Sequence, residues 1–117
     1  MVRAQSQTQM LSAGPLWPRL LQDLQQGVDR SIIAARFHFG LADAIAHLAI
    51  TLAHRHHLTR VVLSGGVFQN QVLLTAVQDR LHQGGLNVLT PHDIPPNDGG
   101  ISLGQVAIAA ARLKLRP

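Results

Sequence analysis

Apolar residues recur along this chain with changing spacing, and each spacing predicts an element. Leu16, Leu20, Leu21 and Leu24 recur at helical intervals, which predicts a short amphipathic helix from Pro15 to about Gln26, stopped by Gly27. Ile33, Phe37, Leu41, Ile45, Leu48 and Leu52 then form one apolar stripe, with Arg36, Gly40, Asp43, His47 and Thr51 roughly opposite. This is the pattern of a longer helix. Asp29 or Ser31 can cap its start, and its end is expected to fray near His54–His57. The stretch before Pro15, MVRAQSQTQMLSAG, is polar and aperiodic, so residues 1–14 read as a flexible lead-in.

After His57 the period changes. Arg60-VVLS-Gly65 is a short β-branched run ending in two glycines, which suits a strand buried on both faces. Gln69 to about Gln83 returns to helical spacing through Leu73, Leu74, Val77 and Leu81, and Gly84-Gly85 ends it. LNVLT at 86–90 is a second strand. Ser102 and Gln105 have the spacing of a capping box, and Ile101 and Val106 that of a hydrophobic staple, so a last helix is expected from Ser102 to about Leu113. The fold class is therefore α/β, in the order α-α-β-α-β-α. Its central β-α-β is long enough for a right-handed parallel crossover. Two parallel strands do not make a stable buried sheet by themselves. Either the chain is part of a larger α/β domain, or a partner completes its sheet.

At 117 residues the chain is one domain at most. It has no cysteine, which removes disulfides and thiolate zinc sites from consideration. No signal-peptide pattern and no bilayer-spanning apolar run are expected, so the default is a soluble intracellular protein with no membrane partner. Ten Lys and Arg face six Asp, but the arginines are scattered and only Trp17, Phe37, Phe39 and Phe68 are aromatic. A nucleic-acid partner is not expected from such a surface. Of the seven histidines, His54, His56 and His57 cluster at a helix end, without the i, i+4 spacing of a helical ligand pair. His38 borders the apolar stripe as a packed or capping residue.

Candidate chemistry lies in two loops, both at carboxyl ends of the expected strands, where open α/β sheets bind ligands. The first is SGGVFQN, Ser64–Asn70. Its glycines allow backbone N–H groups to approach phosphate or ribose oxygens, but it matches neither the Rossmann nor the Walker fingerprint. Asn70 is either a ligand or the N-cap of the next helix. Ser64 has no base beside it in sequence, so a nucleophilic serine is not expected. The second loop is IPPNDGG, Ile94–Gly100. Pro95 and Pro96 stiffen the approach, Gly99 and Gly100 let backbone come close to something bulky, and Asp98 sits ahead of a helix N-terminus. Asp98 is either a turn residue or a carboxylate for a metal. Together the loops would suit a metal–nucleotide site, since magnesium and similar ions want carboxylate and phosphate oxygens at once.

VVLSGGVFQNQVLL at 61–74 and PPNDGGISLGQ at 95–105 resemble the C-terminal end of the HypF family, carbamoyltransferases of NiFe-hydrogenase maturation. IAARFHFGLADAIAHLA at 33–49 is similar to the helix before that segment, so the likeness runs from about Trp17 onward. The enzymes that form threonylcarbamoyladenosine on tRNA share a similar glycine loop. Their second motif ends in Asp-Asn-Ala, however, where this chain has Asn-Asp-Gly-Gly-Ile-Ser.

The resemblance implies that residues 15–117 are the C-terminal portion of a HypF-type carbamoyltransferase domain, part of one half of an actin/sugar-kinase (ASKHA) fold. It implies a cytoplasmic enzyme using carbamoyl phosphate and ATP, with carbamoyl-adenylate as intermediate. The carbamoyl group would pass to the C-terminal cysteine of a HypE-like partner, and from there become a cyanide ligand. Ser64, Gly65, Gly66 and Asn70 would contact ATP. Asp98 would bind a divalent metal (magnesium, zinc or iron). The family's paired ligand histidines lie upstream of the segment this chain resembles, so the remaining HypF domains are implied as partners. A non-catalytic nucleotide-binding module, or a relative of the tRNA-modifying enzymes, are the alternatives.

Overall fold

The computed structural model describes residues 2–5 and 8–114. Strands β1 (Val2–Gln5) and β2 (Thr8–Leu11) open the chain, followed by helices α1 (Leu16–Gln25) and α2 (Arg30–Arg55). Strand β3 (Arg60–Val62), helix α3 (Gln71–Gln83), strand β4 (Asn87–Leu89) and helix α4 (Ile101–Lys114) complete it. Two short 3-10 turns, Gly66–Gln69 and Asp98–Gly100, precede α3 and α4. β3 and β4 pair in parallel, Val61 opposite Val88 and Val62 opposite Leu89.

The core is the wedge between α2, α3 and one face of this sheet. Leu73, Val77 and Leu81 of α3 are fully buried there, against Ala42, Ala46 and Ala53 of α2, with Leu63 and Leu86 closing it at the strands. The stripe expected on α2 is thus rotated by about one residue. Ile33 is buried as expected, but along the rest of the helix alanines form the seam, and Leu41, Ile45 and Ile50 flank it half-buried. The reason is distance: small side chains let two helices approach closely. At the far end of this seam a Cβ on Gly84 would lie 2.5 Å from the Ile50 Cδ1. Arg80 of α3 reinforces the pair, reaching Asp43 of α2 with its guanidinium 5.7 Å from the centre of the Phe39 ring. Arg36 joins α2 to Asp23 of α1 at 2.7 Å. By length and composition α2 could cross a bilayer, contrary to the sequence expectation. Its alanine seam packs against α3.

Three further expectations need correction. The lead-in is a ribbon, with Val2 paired to Leu11 and Gln5 to Thr8. Its ladder is made by backbone groups, and β2 lies against α2, a long-range contact that a polar local composition does not reveal. The β3–β4 sheet is covered on one face only, since Val62 is 65% and Leu89 43% exposed. The capping box at Ser102 gives way to a cap one turn earlier. There the Asn97 side chain accepts from the Gly99 N–H (3.0 Å), and the 3-10 turn runs directly into α4.

α1, α2 and α3 all stop in the same way. In each, the residue after the cap takes positive φ: Gly27 at 70°, His57 at 54° and Gly85 at 78°. The next amide bonds back into the last turn, Val28 to Asp23 O at 3.0 Å, Leu58 to Ala53 O at 2.8 Å and Leu86 to Leu81 O at 3.0 Å. These are Schellman ends. Of the two caps expected at the α2 start, Asp29 takes the role, accepting from the Ser31 N–H at 2.8 Å. The Ser31 hydroxyl and then the Ser31 amide hold the Asp29 carboxyl below its ordinary value of 3.8.

Among the described residues His57 is the one non-glycine residue in a left-handed position, which costs about 1–2 kcal/mol. Glycine recovers much of this, less the added freedom of the unfolded chain. His57→Gly is therefore expected to slow hydrogen exchange of the Leu58 amide about two- to fivefold, since about 1 kcal/mol is roughly a fivefold change in local opening. Faster exchange would mean that the His57 side chain itself stabilises the helix end.

Candidate functional site

The two motif loops meet at the carboxyl ends of β3 and β4. Leu63 extends the ladder by donating to Leu89 O at 2.9 Å, and the next loop residues then bridge to the other loop. The Gly65 N–H donates to Pro96 O at 2.6 Å. Gly65 has φ of 108°, a conformation open to glycine and strained for other residues. Ser64 is exposed, and Gly66 begins the 3-10 turn, with Asn97 of the facing loop its nearest neighbour. The glycine loop and the Asp98 loop therefore meet at one end of the parallel pair.

The role expected for the second pair of glycines changes. A Cβ on Gly100 would lie 2.9 Å from both Ile94 Cγ2 and Pro95 O, so the bulky neighbour that requires glycine is the chain's own loop. Asp98 opens the 3-10 turn and is exposed. Among the described residues the ion pairs are Arg36–Asp23 and Arg80–Asp43, so the Asp98 carboxylate is unpaired there. No three potential metal ligands converge among the described residues. The exposed Asp98 carboxylate fits a divalent cation as one ligand, not as a complete set.

Asn70 does both more and less than expected. Its Oδ1 accepts from the Leu73 N–H at 3.1 Å, which makes it the N-cap of α3. Its Nδ2 lies 2.8 Å from His38 Nε2 on α2. Asn70 thus ties the start of α3 to α2. A cavity of about 280 Å³ lies beside the loops, lined by Leu63, Phe68, Gln69, Leu74, Thr90 and Pro96 among others, and by neither Asn70 nor Asp98. A larger one, about 540 Å³, lies between α1 and α2 and holds none of the residues singled out from the sequence as a site. Sequence reasoning missed His38. Its partner is far along the chain, and a lone histidine on an apolar stripe carries no local signal of such a bond. His54, His56 and His57 sit at the exposed end of α2 as last turn, cap and left-handed stop.

Comparison with known proteins agrees with this architecture. The family described as "Carbamoyltransferase, Kae1-like Domain, second subdomain" matches residues 1–105. Carbamoyltransferase HypF of Synechocystis sp. is 40% identical over 81 residues, 67% of this chain and 10% of that protein. Carbamoyltransferase HypF2 of Cupriavidus necator is 39% identical over 93 residues, 80% of this chain and 12% of that protein. The chain thus spans about a tenth of the length of these relatives. A crystal structure of full-length HypF in the phosphate- and nucleotide-bound form superposes with a TM-score of 0.86 at 32% identity, covering 97% of this chain and 15% of that one. The structure of T. kodakarensis HypF does so at 0.77 and 25% identity, covering 94% and 14%. By this family match, this identity and this superposition, the chain belongs to the HypF carbamoyltransferase family, with residues 1–105 matching within the second subdomain of its Kae1-like domain.

Proposed function

We propose that this chain forms one wall of the nucleotide crevice of a cytoplasmic HypF-type carbamoyltransferase, within an ASKHA-like domain completed by the remaining HypF segments. The enzyme would use carbamoyl phosphate and ATP, through carbamoyl-adenylate, to carbamoylate the C-terminal cysteine of a HypE-like protein. One observation carries the reading. The Gly65–Pro96 hydrogen bond joins the two motif loops at the strand ends, and next to that junction stands an exposed carboxylate, Asp98, with no ion pair among the described residues. A solved HypF relative is in a phosphate- and nucleotide-bound form, which supports nucleotide as the ligand class.

In this reading Ser64, Gly65 and Gly66 offer backbone and hydroxyl donors to phosphate or ribose oxygens, and Asn70 offers a side-chain N–H. Asp98 would be one ligand of a divalent cation (magnesium, zinc or iron), whose charge would draw phosphate oxygens into the crevice. The other ligands would come from upstream segments. That dependence is also what favours the alternative, a non-catalytic nucleotide-binding module, for the chain by itself.

The test is ATP and metal binding, with carbamoyl transfer to HypE, in a HypF-type enzyme that carries this chain as its second Kae1-like subdomain. Binding with transfer supports the enzyme reading, and binding without transfer supports the module. Absence of both overturns the proposal. Asn70→Ser refines the assignment. Serine caps a helix about as well as asparagine, so stability should change by about 1 kcal/mol or less. If the amide touches the nucleotide, the ATP dissociation constant measured by calorimetry should rise about tenfold. Unchanged affinity would leave Asn70 only a cap.

A further inference from the structure

We infer that His38 is a positioning residue for Asn70, fixing the rotamer and orientation of its amide so that one N–H is presented to the nucleotide. The inference rests on the nucleotide-site reading proposed above.

The hydrogen bonds around these two side chains admit one self-consistent assignment. His38 Nδ1 lies 2.8 Å from Ala34 O. A carbonyl oxygen only accepts, so Nδ1 carries a proton and donates to it, while Nε2 serves as the acceptor that an amide NH2 group requires. Nε2 is 2.8 Å from the Asn70 side chain, which must therefore direct its NH2 group there. The other end of the amide agrees, because Oδ1 accepts from the Leu73 N–H at 3.1 Å. Flipping the amide would set a lone pair against a lone pair at His38 and a donor against a donor at Leu73. The ring is itself held, with Phe37 edge-on at 5.8 Å and 84°.

The consequence for recognition is specific. One Nδ2–H is occupied by His38 and one Oδ1 lone pair by the α3 cap, so the donor that exposed Asn70 still offers is its second Nδ2–H. That donor matches an acceptor on the ligand, such as a phosphate or ribose oxygen. Without His38 the cap still restrains Oδ1, but nothing holds the NH2 end. A hydrogen bond of this kind is worth about 1 kcal/mol, or roughly fivefold in affinity.

The test is a double-mutant cycle in a HypF-type enzyme carrying this chain, read by calorimetric ATP dissociation constant and by melting temperature. His38→Leu removes the acceptor, and His38→Gln supplies one through its amide oxygen. Expected are a roughly fivefold rise in the dissociation constant for His38→Leu, recovery with His38→Gln, and no further rise when His38→Leu is added to Asn70→Ser. If His38→Leu does not fold, His38→Ala takes its place in the cycle, and wild-type ATP affinity in the folded variant that lacks the acceptor overturns the inference. A fivefold loss in His38→Gln, or additive losses in the double variant, would overturn the inference while leaving the nucleotide site intact. No change in ATP affinity for Asn70→Ser would remove both the inference and Asn70 from the site.

Discussion

Asp98→Asn, in a HypF-type enzyme carrying this chain, is expected to fold normally, lose bound metal and lose carbamoyl transfer to HypE. Asparagine keeps the size of the side chain and one acceptor. Asp98 makes no ion pair among the described residues, and the cap of its own turn is the neighbouring Asn97. Structure therefore asks little of its charge, and stability should fall by about 1 kcal/mol at most. A divalent cation asks for that charge directly, since a neutral amide is a much weaker ligand. Metal content after gel filtration and ATP-dependent carbamoylation of HypE check the two halves. Carbamoyl phosphate hydrolysis, a step that needs neither ATP nor this crevice, is expected to persist. Retention of both metal and transfer would make Asp98 only a turn residue.

Expressed alone, the chain is expected to melt without a sharp transition, bind hydrophobic dyes and associate with itself. A compact monomer of 12.7 kDa would expose about 6,200 Å², whereas this one exposes 8774 Å². The excess is on the scale of a large, permanent interface. Its location is visible. Every described residue of α4 is exposed, including Ile101, Leu103, Val106, Ile108 and Leu113, and so are Val62 and Leu89 on the bare face of the sheet. Among the described residues, four of the ten buried apolar side chains are alanines, which release little free energy on burial. A sharp melt of the monomer above about 60 °C would contradict this, because complete mesophilic domains melt near there. Adding the upstream segment in trans should restore cooperativity.

What could be read from the sequence followed from local signals. Gly27 and Gly84-Gly85 marked helix ends because left-handed stops favour glycine, and Asp29 and Asn70 marked starts because their side chains reach the first amides. The change of period at Arg60 located the parallel pair. The two motif loops were legible because glycine, proline and a lone carboxylate stand out in so short a stretch. What escaped was non-local. The alanine seam of α2 depends on how closely α3 approaches, and periodicity favours the larger residues beside it. The β1–β2 ribbon depends on backbone pairing and on lying against α2. Ser102 fitted a cap pattern, yet Asn97, at the head of the 3-10 turn, took the role. His38 required knowing which residue of α3 faces it.

The Gly65–Pro96 hydrogen bond joins main chain to main chain, so the two positions differ in mutational tolerance. Position 96 contributes only a carbonyl to it, which every amino acid has, and can drift without breaking the bond. Position 65 supplies an amide from a left-handed conformation at φ 108°. Proline would delete the donor there, and any other side chain would strain it. The spacing of the two loops is thus encoded at one glycine, and the residues around the other end are left free to diversify.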